Sequence, residues 1–536
     1  GERGVWCGRS ATGGGRIHDG RRGRSLAVPH FVKEGGVDEN DGSEDTEGLS
    51  HLSTQEPPMS AAYADLVSYV QHLAPTWRKT QHAGFAQLLA ALLERPTLCL
   101  SELARAFPHP EQPLHGRLKR LTRLLSNPRL DELALAVRWL KLSYHFCADA
   151  PTLADGRPLL PVLIDTTYFE PFACLVASVP CGSRGLPIAL TTYHRTTLDA
   201  CFPPEATWPH PDTPLLAPGR RHPRPAPAAA QVCGWASQNR IEEQLWRVLT
   251  HLVSPAVRPV FVGDRGFARA ELFRSLQAQG HDFVIRIDAE THVQVNPFAL
   301  PAPAATALAC APGARCWQPQ GTYGADARVP VHLLAVHDPD QAEPWFLATT
   351  LASAAAAEQL YRWRMRLECS NRDWKTGVLL REGDDHHALT NPLHLHRLLL
   401  ALAAAQWGCA LVGLQAWHDL PTAPPAPTAP APTLLDTLPP GAVPPPAVFA
   451  DGPAVPPPVL PHRGPTPRLP QWLRRFATRG WLSYVRLGLE VLRAPDLRWL
   501  VRRVVRWLGH YLWTTTPLWR PWQRRYRQLH WWPDAA

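Results

Sequence analysis

Little in this chain points to an oxidising compartment, a membrane span or a covalent nucleophile. Its eleven cysteines are odd in number, scattered from Cys7 to Cys409, and include no C-x-x-C pair. Neither a disulfide framework nor a zinc finger is indicated, and a reducing cytoplasm is the expected setting. No signal peptide precedes the first folded segment, and the most apolar run, Leu398 to Leu414, is short and carries Gln406 and Gly408. It reads as a buried helix and not a membrane span. The G-x-S-x-G nucleophile signature is absent. Acidic residues are the minority charge, 46 against 55 lysines and arginines, and the net charge of +9 favours a polyanionic partner. Methionine is nearly missing, with only Met59 and Met365. Met59 sits where helical periodicity begins, so it is the expected natural start and residues 1–58 an expected extension of the reading frame.

What is present divides into segments. Residues 1–58 carry glycine and arginine clusters and then an acidic stretch, Glu34 to Glu47; such a segment cannot bury enough apolar surface to fold alone. Residues 59–150 read as helical. Ser101 is placed to cap a short helix to Phe107, broken by Pro108 and Pro110, and a second helix runs Leu114 to Leu125. Its apolar stripe is Leu114, Leu118, Leu121 and Leu125; Arg117, Lys119, Arg120 and Arg123 form the opposite face. A helix-turn-helix-like DNA reader and an ordinary amphipathic helix with a solvated basic face both fit that pattern. Residues 151–415 mix strands and helices into an α/β layer architecture, with a β-rich insertion at about 288–345. Residues 416–470 form a linker, with nineteen prolines between 421 and 470. Residues 471–536 hold thirteen arginines, three acids and nine tryptophans. Arg498, Arg502 and Arg506 share one helical face, which suits nucleic acid or a membrane surface; a third reading is that this tail is no part of the ancestral domain.

The most specific feature is a helical stripe. Tyr361, Arg364, Glu368 and Lys375 stand at offsets 0, 3, 7 and 14, so a phenol, a guanidinium, a carboxylate and an ammonium point the same way. One anion among three phosphate-friendly donors suits a divalent metal held beside a nucleic-acid backbone. Upstream, Asp165 ends one buried β run and Asp264, in Gly-Asp-Arg-Gly-Phe, ends another. Adjacent strand ends would bring these carboxylates together, with Glu368 as the third. Three carboxylates without histidine or cysteine favour Mg²⁺ or Mn²⁺ over zinc. Two such ions could activate a water and stabilise the leaving oxygen in phosphodiester cleavage. Asp384, Asp385, His386 and His387 form a competing metal-like cluster, read as polar punctuation between two helices.

The order Asp165, Asp264, Glu368, with the last inside Tyr-x-x-Arg-x-x-x-Glu-x-x-x-x-x-x-Lys, resembles the bacterial insertion-sequence DDE transposases with the Y-R-E-K signature, the insertion-sequence-four type. The resemblance covers roughly residues 80–415. It implies a ribonuclease-H-like mixed sheet with flanking helices, interrupted by the β insertion and preceded by the all-α segment. It makes Asp165, Asp264 and Glu368 the metal-binding catalytic triad, with two Mg²⁺ (or Mn²⁺) ions, and Tyr361, Arg364 and Lys375 phosphate contacts at the element's end. Pro344 to Thr350 looks like the family's strand before the signature helix, which makes Trp345 the candidate to stack on a flipped base. Trp317 is the fallback, and a core role for either tryptophan stays open. The implied activity is cut-and-paste DNA transposition through a hairpin intermediate, by a homodimer holding two DNA ends, in a bacterial, nucleoid-associated, cytoplasmic setting and without a membrane. The alternative is a catalytically inactive DNA-binding regulator derived from such an enzyme.

Overall fold

The proline-free, leucine- and alanine-rich stretches before residue 147 form five helices: α1 (Met59–Leu73), α2 (Lys79–Glu94), α3 (Leu100–Ala106), α4 (Leu114–Leu125) and α5 (Glu132–Phe146). These come from a computed structural model that describes residues 59–108, 111–146, 157–203, 231–326, 328–375, 389–420, 459–460, 473 and 484–513. The acidic N-terminal segment, nearly all of the proline-rich segment, the Asp384–His387 cluster and residues 514–536 lie outside the described residues. Helix α4 has the bounds its periodicity predicts, although Leu114 is 36% exposed and the buried stripe is Leu121, Leu124 and Leu125. Ser101 does not cap α3. The helix begins one residue earlier, Cys99 takes the cap position, and the Ser101 hydroxyl lies 3.2 Å from the Cys99 thiol.

Beyond residue 157 the strands β1 (Leu159–Phe169), β2 (Phe172–Cys181), β3 (Arg184–His194), β4 (Asp199–Phe202) and β5 (Gln231–Gly234) lead into α6 (Gln238–Leu252). Then come β6 (Arg258–Gly263), a 3₁₀ turn at Arg265–Phe267, α7 (Ala270–Ala278) and β7 (Asp282–Ile287). Gly280, at φ +70°, follows α7, in the left-handed conformation that glycine adopts readily after a helix end. The insertion contributes β8 (His292–Gln294), β9 (Ala302–Pro303), the single turn α8 (Ala304–Ala307), β10 (Arg315–Tyr323) and β11 (Val329–Val336), before β12 (Trp345–Thr349). All twelve strands join one sheet in the order β5-β4-β3-β2-β1-β6-β7-β12-β11-β10-β8-β9. The insertion therefore lengthens the sheet and does not stand apart from it. At its centre β1 pairs antiparallel with β2 and parallel with β6, and β6 runs parallel to β7.

Two long helices close the unit. Helix α9 (Ala354–Lys375) starts where Ser353 Oγ accepts from Ala356 N, and α10 (Pro392–Asp419) where the Asn391 carbonyl oxygen of the side chain accepts from Leu393 N at 2.9 Å. Alternation along β1 sends Leu159 and Leu163 to the face that α9 covers with Ala356, Ala357, Leu360, Tyr361 and Leu367; Leu160, Val162 and Ile164 join the core on the other face. Gly185 of β3 lets α9 come close, since a Cβ there would stand 3.4 Å from Leu367 Cα. Ser370 bridges the same spot, donating to Gly185 O and accepting from Gly185 N at 2.9 Å each. Helix α10 meets the length and hydropathy of a membrane span, yet 94% of its apolar window is buried within the protein. Its Arg397 is buried in an ion pair with Glu132 of α5, at 2.6 Å, and also donates to Leu125 O at the end of α4.

Part of the arginine- and tryptophan-rich tail packs on the core. Residues 484–513 form α11 (Tyr484–Arg493) and α12 (Arg498–Trp513), whose apolar faces belong to the same hydrophobic core as α1, α2, α5 and α10. Helices α10 and α11 cross with backbones in contact. A Cβ on Gly413 would stand 1.8 Å from Tyr484 O, and one on Gly488 would stand 1.7 Å from Cys409 O. Buried Arg138 and Lys141 of α5 both donate to Leu512 O at the carbonyl end of α12, where cations complement the helix dipole. Arg502 and Arg506 keep to the exposed side.

Candidate active site

The parallel register of β1 and β6 sets the first two acids side by side. Leu159 faces Arg258 and Leu163 faces Val262; continued by two residues, the same offset carries Asp165 level with Asp264, the residue after β6 ends. Leu163 and Val262 both face α9, so the period of two directs Asp165 and Asp264 toward that helix as well. Asp264 closes its strand as expected and its carboxylate accepts from Arg265 N, at 2.8 Å, to start the 3₁₀ turn. Asp165 differs from expectation: it lies inside β1, paired opposite Val176, and the strand runs on to Phe169 against β2 alone. It marks the end of the β1–β6 pairing and not the end of the strand.

Helix α9 supplies the rest. Tyr361, buried at 2% exposure, donates to Asp264 Oδ1 at 3.4 Å. Arg364, at 6% exposure, is ion-paired to Glu368 one turn away and reaches Asp264 Oδ2 at 3.9 Å. Tyr361 and Arg364 thus meet Asp264, and Glu368 is tied to it through Arg364; Lys375 is exposed at the last position of α9. One residue of the site went unread in the sequence. Asn371 Nδ2 donates to Asp165 Oδ2 at 3.0 Å, while Asp165 Oδ1 accepts from Thr166 N at 2.9 Å. Its offset of 10 from Tyr361 falls on the same stripe, one turn past Glu368, and that position was the available signal.

The electrostatics follow from crowding. Burial raises the Asp165 pKa, the charges of Asp264 and Glu368 raise it further, and Arg364 and the Thr166 amide oppose the rise. Burial pushes the Tyr361 phenol up to about 12, against the pull of Arg364. Burial alone would lower the Arg364 pKa, but Tyr361, Asp264, Glu368 and Asp165 together hold it above its ordinary value. Four anionic or acidic groups therefore act on one guanidinium.

Carboxylate oxygens alone suit a hard divalent ion, so the donor types fit Mg²⁺ or Mn²⁺. Among the described residues no three His, Cys, Asp or Glu groups gather closely enough to hold an ion, and Arg364 stands between Asp264 and Glu368.

The remaining candidates lie at different distances from this centre. Trp345 opens β12 beside the site, edge-on to Tyr361 with ring centroids 5.1 Å apart, and the Arg362 guanidinium sits 5.3 Å from its ring centre. Arg362 is itself held by Asp338 and Glu358. Trp317 lies on β10, opposite Leu334 and 5.4 Å from the His332 ring, two strands from β12. Arg117, Lys119, Arg120 and Arg123 are on α4, which packs on α2, α3 and α10. Lys119, Arg120 and Arg123 are exposed, whereas Arg117 donates to Arg105 O at 2.9 Å.

Residues 230–405 match the family model of the transposase DDE domain. The matched stretch contains Asp264, Glu368 and all of α9, and begins downstream of β1, so Asp165 enters the site from outside it. No curated protein matches the chain.

Proposed function

We propose that this chain is a DDE transposase of the Y-R-E-K, insertion-sequence-four type, cutting and rejoining DNA with Asp165, Asp264 and Glu368 as its catalytic carboxylates. The observation that carries this reading is two strand acids level in register, with Asp264 and the α9 acid Glu368 joined through Arg364 and both inside the segment matching the transposase DDE domain. The central order β3-β2-β1-β6-β7, with the first three antiparallel and the last three parallel, supports a ribonuclease-H-like core. The helices α1–α5 fit the role of a DNA-reading segment, with Arg117, Lys119, Arg120 and Arg123 on its phosphates.

In this reading the three carboxylates would hold two Mg²⁺ or Mn²⁺ ions, which would supply a polarised water and charge for the leaving oxygen. The chain's own residues do the positioning. Asn371 and the Thr166 amide fix the two oxygens of Asp165, and Tyr361 orients Asp264. Lys375 and Arg364 grip phosphates, and Trp345, held on one side by Arg362 and at its edge by Tyr361, offers a stacking surface to an extruded base. Nicking, hairpin formation, hairpin opening and strand transfer are each in-line displacements at phosphorus, so one site serves them in turn. Two ends held together call for a homodimer. The test is Mg²⁺-dependent cleavage of DNA carrying the ends that flank the coding region; its absence in the intact chain would favour the non-catalytic DNA-binding regulator.

Two further outcomes bear on individual roles. Lys375→Ala should weaken end binding and reduce the slope of log affinity against log salt by about one counterion; an unchanged slope would remove Lys375 from the phosphate grip. Asn371→Leu, which keeps the branching at Cγ and loses the donor, should reduce cleavage by about 10- to 100-fold with DNA binding preserved. Recovery in Asn371→His, which restores a donor, would tie the loss to the hydrogen bond, and wild-type activity in Asn371→Leu would dismiss it.

A further inference from the structure

Arg364 is placed where it cannot stay if a divalent ion is to bind. Its guanidinium is ion-paired to Glu368, stands 3.9 Å from Asp264, lies 5.6 Å from the Tyr361 ring centre and acts on Asp165. A metal shared by those acids would set like charges within a few ångströms, well inside the distance over which salt screens them. Arg364 also carries an unmet demand, because its Nε is buried without a hydrogen-bond partner. A phosphate accepts from two guanidinium nitrogens side by side and would satisfy it. The side chain is long enough to exchange partners by rotation while α9 stays pinned to β3 through Ser370–Gly185 and the Arg184–Asp373 ion pair at 2.6 Å.

We infer that Arg364 is the resident cation of the free protein and that a DNA phosphate draws it off the carboxylates, so that this one side chain couples DNA binding to divalent-metal binding. The inference rests on the transposase reading for its ligands, but concerns a property of the site that the reading does not contain. Without DNA, Arg364 offsets part of the acids' charge and metal is weakly held. With a phosphate seated, the acids are left with excess negative charge and the metal site forms. Linkage makes the effect reciprocal, so metal strengthens DNA binding by the same factor. An enzyme built this way does not assemble its metal centre away from DNA.

The test is Mn²⁺ binding to the full chain without DNA, read from the paramagnetic resonance signal of the free ion. Arg364→Gln is expected to bind Mn²⁺ at least tenfold more tightly than wild type, and Arg364→Lys, which keeps the charge, to stay close to wild type. The gain should vanish in the double variant Arg364→Gln with Glu368→Gln, which identifies the ion's ligands. No gain in Arg364→Gln, or a gain that survives loss of Glu368, overturns the inference. The two levels of the argument fail separately. A Glu368-dependent gain in a protein that never cleaves DNA would support the exchange and sink the catalytic reading. Cleavage by wild type together with no gain would do the reverse.

Discussion

Asp165→Ala, Asp264→Ala and Glu368→Ala are each expected to lower Mg²⁺-dependent cleavage of end-bearing DNA by at least about a thousandfold, with binding of the same DNA largely kept. Removing one ligand from a metal centre forfeits several kcal/mol of transition-state stabilisation, and about 4 kcal/mol is three powers of ten. The stability of the variants separates this from misfolding. The three acids repel one another, and Asp165 has its pKa raised by burial and by the charges of Asp264 and Glu368. A neutral residue in its place relieves that repulsion, so Asp165→Asn is expected to melt no lower than wild type while being as inactive as the alanine variant. Asp264→Ala loses the Tyr361 hydrogen bond and the Arg265 turn, and a modest fall in melting temperature is expected there. Full cleavage by any one of the three alanine variants would remove that residue from the catalytic set, and equal losses of DNA binding and cleavage would point to a structural role for all three.

The parts of this site legible in the sequence are those with short-range logic. Tyr361, Arg364 and Glu368 needed only the helical period to be put on one face, and α9 has them there. Asp264 needed only the end of an apolar run. Asp165 was found as an acid after Val-Leu-Ile, but its strand continues because β2 alone pairs with the residues beyond it, a fact about the partner strand and not about β1. Asn371 shared the stripe and went unread; its meaning comes from Asp165, 206 positions away. The Arg364–Glu368 pair was readable as i to i+4, whereas the approach of Arg364 to Asp264 depends on the seating of α9 over β6. The tail was the largest gap. Arginine and tryptophan composition drew attention to its exposed side, but what seats α11 on the core is a pair of glycines, whose role is set by what they touch.

Those glycines give a prediction whose sign opposes helix propensity. Alanine inside a helix is favoured over glycine by about 1 kcal/mol, so Gly413→Ala and Gly488→Ala should stabilise if the helices were merely near each other. Here the added methyl meets backbone, 1.8 Å from Tyr484 O in one case and 1.7 Å from Cys409 O in the other. A backbone carbonyl in a packed helix cannot rotate aside as a side chain can, so α11 must lift from α10 as a body. That movement would open the buried contacts of Val485, Leu489 and Val491. Overpacking of this kind costs about 1–3 kcal/mol or more, enough to outweigh the gain in propensity. Both variants are therefore expected to melt several degrees below wild type, and Gly413→Leu to be recovered poorly or not at all as folded protein. Gly116 in α4 is the control, since a Cβ there meets nothing within 4 Å; Gly116→Ala should hold or raise the melting temperature. If Gly413→Ala and Gly488→Ala instead behave like Gly116→Ala, α11 is not seated on α10 and the C-terminal helices are no part of the folded core.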